Sequence, residues 1–396
     1  MSASILVVGG AGFMGSRAVR SLLDDGHEVT VGDLRPSDVI GAGYVEVDAT
    51  DADSIERAAR DADVIMNFAG PYYVLGDTVA RVAVKLGKPY IDICDDAEAT
   101  EELLQLDSAA KESGARLIIG AGSSPGILNA LSLRIVEGMD EVDELVTTWV
   151  VGEKGPSGPA PLRHFLFGIS HDIPVWRDGG RAMVPAFSEE SGEEFPFPEP
   201  VGTMVVRDVG HPEPVTLPQV IKARSVRNKG ALLPRQSTEI YDLFRHLDLI
   251  GDRTVKVNGT DVVARDFIAE FLTQRHNERA RDSSGDVMGL GVRVTGTVGG
   301  RQVERWLAGG GHMTMADATA LPTAAAVPQL LEGAVPAGAH GPEALDVTAW
   351  FKELVRIKPD LYGTIRLWED GNDPVTLTLG ELADVEDITA TLGAAA

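Results

Sequence analysis

The stretch Ser4-Ile5-Leu6-Val7-Val8-Gly9-Gly10-Ala11-Gly12-Phe13-Met14-Gly15 decides the fold. An apolar run enters a glycine turn, and an amphipathic stretch follows with Phe13, Ala18, Leu22 and Leu23 as its apolar positions. The pattern is strand, tight loop, helix. Within the loop, Gly10, Gly12 and Gly15 have the G-x-G-x-x-G spacing of a dinucleotide fingerprint. The first glycine permits the turn, the second lets a pyrophosphate approach the backbone, and the third lets helix pack on strand. The N–H groups and positive dipole end of the following helix suit phosphate oxygens. Phe13 and Met14, lying between the glycines, count with them as expected cofactor contacts.

Context gives this spacing its weight. Glu28–Asp33 reads as a second strand ending in an acid, 18 residues after Gly15. An acid there takes the hydroxyls of an adenosine ribose and repels a 2′-phosphate. Arg35 offers that phosphate a bidentate partner instead. The pair leans to NAD and leaves NADP open. Asp48 ends a third strand-like segment, Tyr44–Val47, where it meets an adenine edge or is a solvated loop residue.

Further on, strand-like Val64–Ala69, Tyr90–Cys94 and Arg116–Ile119 alternate with helix-like Ser54–Asp61, Asp77–Leu86 and Ala99–Ser113. This rhythm predicts an α/β, doubly wound parallel sheet, a Rossmann domain over residues 1–122. "NFAGPYY" (residues 67–73) ends the fourth strand on the ligand-binding side, which makes Ala69, Gly70 and Pro71 cofactor contacts, with Gly122 after the sixth strand. Near Gly120 the rhythm changes. Residues 123–340 read as an α+β substrate domain with a mostly antiparallel sheet, including Leu145–Val151 and Val292–Val298, and helices at Thr238–Leu247 and Val262–Glu278. Residues 341–396 hold a helix (Asp346–Ile357), a short strand pair and an Ala-rich tail, expected to pack back on the first domain. The stretches "GEKGPSGPAP" (152–161) and "EFPFPEPVG" (194–202) read as loops.

Composition narrows the function classes. The 396 residues are 44% hydrophobic and 24% charged, ordinary for a globular protein, and carry a formal net charge of −25. Such acidity disfavours nucleic acid, whose phosphates need a basic surface, and anionic membranes likewise. One cysteine, Cys94, forbids an intrachain disulfide and a Cys-based zinc site, and no metal centre is expected. No stretch approaches the ~20 apolar residues of a membrane span. The N-terminal run lacks a basic flank and is too short for a signal segment, so a cytoplasmic protein is expected. There is no Y-x-x-x-K pair and no H-E-x-x-H, which removes short-chain reductase and metalloprotease readings.

In order, "GGAGFMG", "NFAGPYYVLGDTVARVAVKLGKPYIDICDD", "GAGSSPGILNALS", "WRDGG", "VGHPEPVTLP" and "LPTAAAVPQLLEGAVPAGAHGPE" resemble the saccharopine dehydrogenase (saccharopine reductase-like) family, from about residue 4 to about residue 355. The resemblance implies a Rossmann domain plus an α/β substrate domain, frequently dimeric. It also implies reversible hydride transfer between a nicotinamide cofactor and the C–N bond of an amino-acid-derived imine or secondary amine. The segment "PLRHFLFGISHDIPVWRDGG" departs from lysine-pathway members, which leaves the small amino-acid-like substrate open.

Imine reduction needs a proton for nitrogen and cations for carboxylates. Ser124, in the Ser123–Gly126 turn, faces the nicotinamide end or caps the next helix with Pro125 at its first position. Asp95 and Asp96, past the fifth strand, exchange a proton or lie in a solvated loop, and Cys94 beside them is expected to be a buried thiol. His164 has an ordinary pKa suited to acid–base work. Arg163 and Arg227 are the expected carboxylate anchors, in a cleft between the domains with His164; surface salt bridges are the alternative for the Arg224, Arg227 and Lys229 cluster. His211 and His340 read as structural. Two other functions fit the same fingerprint: reduction of a C=C bond, and a non-catalytic NAD(P) sensor.

Overall fold

The computed structural model describes residues 2–152, 154–155, 158–280 and 285–393. By contacts the chain forms two compact units. One comprises Met1–Ala130, Val215–Val220 and Ala316–Asp360, the other Leu131–Pro214, Ile221–Met315 and Leu361–Ala396. These limits fall elsewhere than the sequence-based division at 122/123 and 340/341. Residues 123–130, 215–220 and 316–340 join the first unit, and the expected C-terminal segment is shared, with 341–360 in the first unit and 361 onward in the second.

The first unit is built on β1 (Ser4–Val8), β2 (Glu28–Asp33), β3 (Gly43–Glu46), β4 (Val64–Asn67), β5 (Tyr90–Asp92) and β6 (Arg116–Ile118). They pair in parallel in the order β3-β2-β1-β4-β5-β6, and a seventh strand, Gly338–His340, adds to the β6 edge, also parallel. The apolar runs that marked these strands are their buried residues: Ile5 to Val8 and Val64 to Met66 are at most 1% exposed. The strand order reverses between β1 and β4, the point where open α/β sheets bind ligands at their carboxyl ends.

Two helix expectations change. The segment expected as one helix over 99–113 is two, Ala97–Leu104 and Asp107–Ser113. Tightened i→i+3 bonds from Gln105 and Leu106 break it and turn Leu106 into the core beside Leu103. After β6 the helix begins at Ile127, so Ser124 is not its N-cap and Pro125 is not its first residue. Residues 122–126 close a tight loop instead, with a bridge between Gly122 and Gly126. Gly126 has φ +122°, and a Cβ there would occupy the backbone of Gly122. Asn129 Oδ1 accepts the Gly126 N–H at 2.9 Å and caps the turn.

The second unit holds a ten-stranded sheet. Its path runs Glu193–Pro196, Thr203–Asp208, Ala223–Leu232, Glu141–Gly152, Val287–Val298, Arg301–His312, Thr364–Glu369, Val375–Leu377, with a hairpin of Asp172–Arg177 and Gly180–Pro185 alongside. Its pairs are antiparallel except Ala223–Leu232 with Glu141–Gly152, so the sheet is mostly antiparallel, as expected. Gly289 is a glycine in mid-strand because the Phe197 ring lies where its Cβ would stand, 2.8 Å away. The "GEKGPSGPAP" stretch and the Ala-rich tail lie partly outside the described residues. Among the described residues no helix is long and apolar enough to cross a membrane.

Candidate functional site

The glycine loop joins β1 to α1 (Gly15–Asp24), and its three glycines do three different things. A Cβ on Gly10 would meet the Val7 carbonyl at 2.9 Å and Val31, so this residue makes the turn. A Cβ on Gly15 would run into the carbonyl of Gly9, so this one seats the helix. A Cβ on Gly12 would meet only the Gly9 oxygen, at 3.0 Å, and its remaining surroundings within 4 Å are open. Beside that opening, the N–H groups of Phe13, Met14 and Gly15 find no backbone acceptor among the described residues, while those of Gly9, Gly10 and Gly12 are bonded. An open glycine face next to three unspent donors at a helix start suits a pyrophosphate.

Asp33, at the end of β2, is half-buried. Its Oδ2 accepts the Ala11 N–H at 3.2 Å and its Oδ1 the Arg35 N–H at 3.1 Å. The acid is therefore tied to the glycine loop. The Arg35 side chain is exposed beyond it. Asp48 is exposed and accepts both the N–H and the hydroxyl of Thr50, which hold its carboxyl below the usual range.

The carboxyl ends of β4, β5 and β6 are joined by a buried chain of hydrogen bonds. Asn67 Nδ2 donates to Tyr90 Oη at 3.3 Å, and Tyr90 donates to Asp92 Oδ2 at 2.7 Å. Asp92 Oδ1 then accepts the N–H groups of Cys94 and Gly120, at 3.0 and 2.7 Å. Burial pushes Asp92 up to about 6, against the hydrogen bonds that favour its ionised form. Asn67 Oδ1 also accepts the Ala69 N–H, and Tyr72 Oη donates to the Asn67 carbonyl. These bonds fix the turn carrying Ala69, Gly70 and Pro71. A Cβ on Gly9 would lie 2.6 Å from Ala69 N, so this turn abuts the glycine loop.

Asp96 is buried and accepts the Tyr73 N–H at 3.0 Å, so it is no solvated loop residue; Asp95 beside it is half-buried. Cys94 is fully buried and its thiol is pushed well up by burial, the inert state expected. Gly122 packs against Thr319 and the β5 end, and the Ser123 hydroxyl is buried with no hydrogen-bond partner among the described residues. Thus the fingerprint, Asp33, the 69–71 turn, Asp95, Asp96, Gly122 and Ser124 all belong to strand-end loops of one sheet.

Arg163, His164 and Arg227 belong to the second unit. His164 is buried on the helix Pro159–Gly168, with Nε2 at 3.1 Å from Nε2 of His211. His211 Nδ1 lies 3.7 Å from Oε2 of the fully buried Glu213, and its ring rests against Trp149. Burial first, and the neighbouring His164 second, hold His211 well below the usual imidazole range. The sequence reading missed Glu213 and gave His211 no active part, because "GHPEP" looks like a proline turn; a histidine two residues before a glutamate was the one signal available. Arg163 is half-buried, 3.9 Å from Glu270. Arg227 pairs with the buried Asp208, Lys229 with Glu193 and Arg224 with Asp178. Only the Arg224 pair is a surface salt bridge, the alternative reading; the Arg227 and Lys229 pairs each have a buried member, and among the described residues the Arg227 Nε has no hydrogen-bond partner.

A parallel sheet with this strand order, a glycine loop after β1 and an acid ending β2 defines a Rossmann-type nucleotide-binding fold. Comparison with known proteins agrees. Residues 5–123 match the family described as NAD dependent epimerase/dehydratase family. A lipid droplet localized protein of Caenorhabditis elegans is 34% identical over 86 residues, 22% of this chain and 20% of that protein. A saccharopine dehydrogenase-like oxidoreductase of Mus musculus is 28% identical over 127 residues, 31% of this chain and 29% of that one. The matched stretches thus span less than a third of these relatives. Over 95% of its length the chain shares the fold of apo saccharopine dehydrogenase (L-Glu forming) from Saccharomyces cerevisiae, with TM-score 0.69 and 15% identity, covering all of that chain. The resemblance to saccharopine dehydrogenase-like proteins read from the motifs is therefore found again in both sequence and fold.

Proposed function

We propose that this chain is an NAD(P)-dependent oxidoreductase of saccharopine dehydrogenase type, acting on the C–N bond of an amino-acid-derived imine or secondary amine. The observation that carries the reading is the open face of Gly12 beside the unspent N–H groups of Phe13, Met14 and Gly15, with Asp33 tied to the same loop. Those groups take the pyrophosphate and adenosine ribose, and Ala69, Gly70, Pro71 and Gly122 form the backbone rim for the rest of the cofactor. When bound, a nicotinamide supplies or receives hydride. The chain's own part is to hold carboxylates with Arg163 and Arg227, to position substrate with Ser124, and to move a proton at nitrogen with His164, Asp95 or Asp96. A homodimer in the cytoplasm completes the reading.

The test is consumption of NADH or NADPH by the purified protein, followed by nicotinamide absorbance, with panels of amine–carbonyl pairs and of enones. Consumption with amine–carbonyl pairs bears the proposal out. Consumption with enones alone assigns C=C reduction, and tight binding without any consumption assigns a sensor.

A further inference from the structure

We propose that Asp92 is a positioning residue for the nicotinamide half of the cofactor, its carboxylate fixing the loops after β4, β5 and β6 as one rim. The proposal rests on the cofactor reading above and lies wholly within the first unit. The pyrophosphate falls at the β1 loop and the adenosine toward Asp33 on β2. The other half of a dinucleotide then extends the opposite way, over β4, β5 and β6.

The chain that joins these loops has its direction set from both ends by backbone donors. On the β4 side the Ala69 N–H donates to Asn67 Oδ1 at 3.0 Å, so the group Asn67 turns to Tyr90 is its Nδ2, a donor. The Tyr90 hydrogen then goes on to Asp92 Oδ2, 2.7 Å away. On the other side the N–H groups of Cys94 and Gly120 both donate to Asp92 Oδ1. Three donors thus converge on one carboxylate that is 0% exposed, with Tyr90 and Asn67 at 1% and 3%. Only a group that accepts and never donates closes such a chain, and an ionised carboxylate is that group. The Asp92 carbonyl adds a further tie, accepting the Ala121 N–H at 2.8 Å.

The two halves of the cofactor are thereby held by separate devices. Asp33 braces the glycine loop through Ala11, while Asp92 braces the turn at 69–71 together with the loop that starts at Gly120. Asp92→Asn keeps an oxygen for Cys94 and Gly120 but turns an N–H group toward Tyr90, whose oxygen then meets two donors. The link to the 69–71 turn opens, and the cofactor must order that part of the rim itself, at a cost in affinity. Tyr90→Phe opens the same link without touching Asp92.

The test is calorimetric titration of NADH, and of ADP-ribose, which lacks the nicotinamide, into native protein, Asp92→Asn and Tyr90→Phe at pH 8. There the Asp92 carboxyl, pushed up to about 6 by burial, is ionised. In both variants NADH is expected to weaken by about fivefold or more, while ADP-ribose changes by less than about twofold. The fluorescence yield of bound NADH at saturation, which reports how firmly the ring is held, should fall with it. Circular dichroism checks the fold, and Tyr90→Phe reads the chain even where Asp92→Asn disturbs it. Equal weakening of both ligands in a folded variant, or an unchanged NADH affinity, would overturn the proposal. Native protein that binds ADP-ribose as tightly as NADH overturns it too, and leaves the dinucleotide loop standing. Native protein that binds neither ligand takes down the cofactor reading itself, and this inference with it.

Discussion

The carboxylate of Asp33 accepts the N–H of Ala11 through Oδ2 at 3.2 Å, so the acid at the end of β2 braces the loop it is expected to assist. Two effects are therefore superposed in any change at this position. Asp33→Ala loses the ribose acceptor and the brace together, and is expected to weaken NADH at least tenfold, about 1.4 kcal/mol. Asp33→Asn keeps an oxygen for Ala11 and removes the charge, so NADH should weaken less and NADPH should gain. Fluorescence titration of the variants with both cofactors checks this. Native protein that binds NADPH tenfold tighter than NADH would overturn the lean to NAD and give the choice to Arg35.

Asp92 makes a pH prediction. Its carboxyl titrates at about 6 in the folded chain against an ordinary 3.8, because burial disfavours its charge. A raised folded pKa means that the stability it contributes is full below the unfolded value and is lost as pH rises through about 6. The loss is on the order of 3 kcal/mol. Asp92→Asn keeps the acceptor for Cys94 and Gly120 without the charge. The stability of native protein relative to this variant should therefore fall by up to about 3 kcal/mol between pH 4 and pH 8, measured by urea unfolding. A difference that stays flat with pH would contradict the burial argument.

Arg227 and Asp208 form a pair with one buried member, the carboxylate being 1% exposed. Burial raises Asp208 and the Arg227 charge opposes that rise. Arg227→Ala should therefore cost about 3 kcal/mol at pH 8, where an uncompensated charge is left inside. The cost should shrink as pH falls, because burial without the opposing Arg227 charge favours the protonated form of Asp208. Arg227→Lys keeps the charge and loses the fork, so it should fold normally and raise KM or lower kcat. Native kinetics in a folded Arg227→Lys protein would restrict Arg227 to the ion pair.

Strands β1 and β4 were legible because each is an apolar run ended by a turn signal, and the glycine loop because its spacing stood between a strand and a helix. What escaped detection depends on distant partners. Gly338–His340 is three residues long and carries no period; it is a strand because β6 offers a free edge and Ile119 donates to the His340 carbonyl. The helix Met315–Ala325 contains Pro322, which reads as a breaker, yet the Pro322 carbonyl is used by the Trp350 indole N–H. The pairing of Arg227 with Asp208, and of His164 with His211, likewise joins residues well apart in the chain whose separate readings give no hint of each other.

The central claim is that the Gly10–Gly15 loop binds a nicotinamide dinucleotide. It is tested most directly by calorimetric titration of NADH into native protein and into Gly12→Val. Among the described residues a Cβ at Gly12 would meet only the Gly9 oxygen, so valine is expected to fold there with a shift of a few tenths of an ångström while filling the pyrophosphate's place. The account predicts saturable binding to native protein and none to a Gly12→Val protein with unchanged circular dichroism and melting temperature. Equal NADH affinity in the two folded proteins would contradict it.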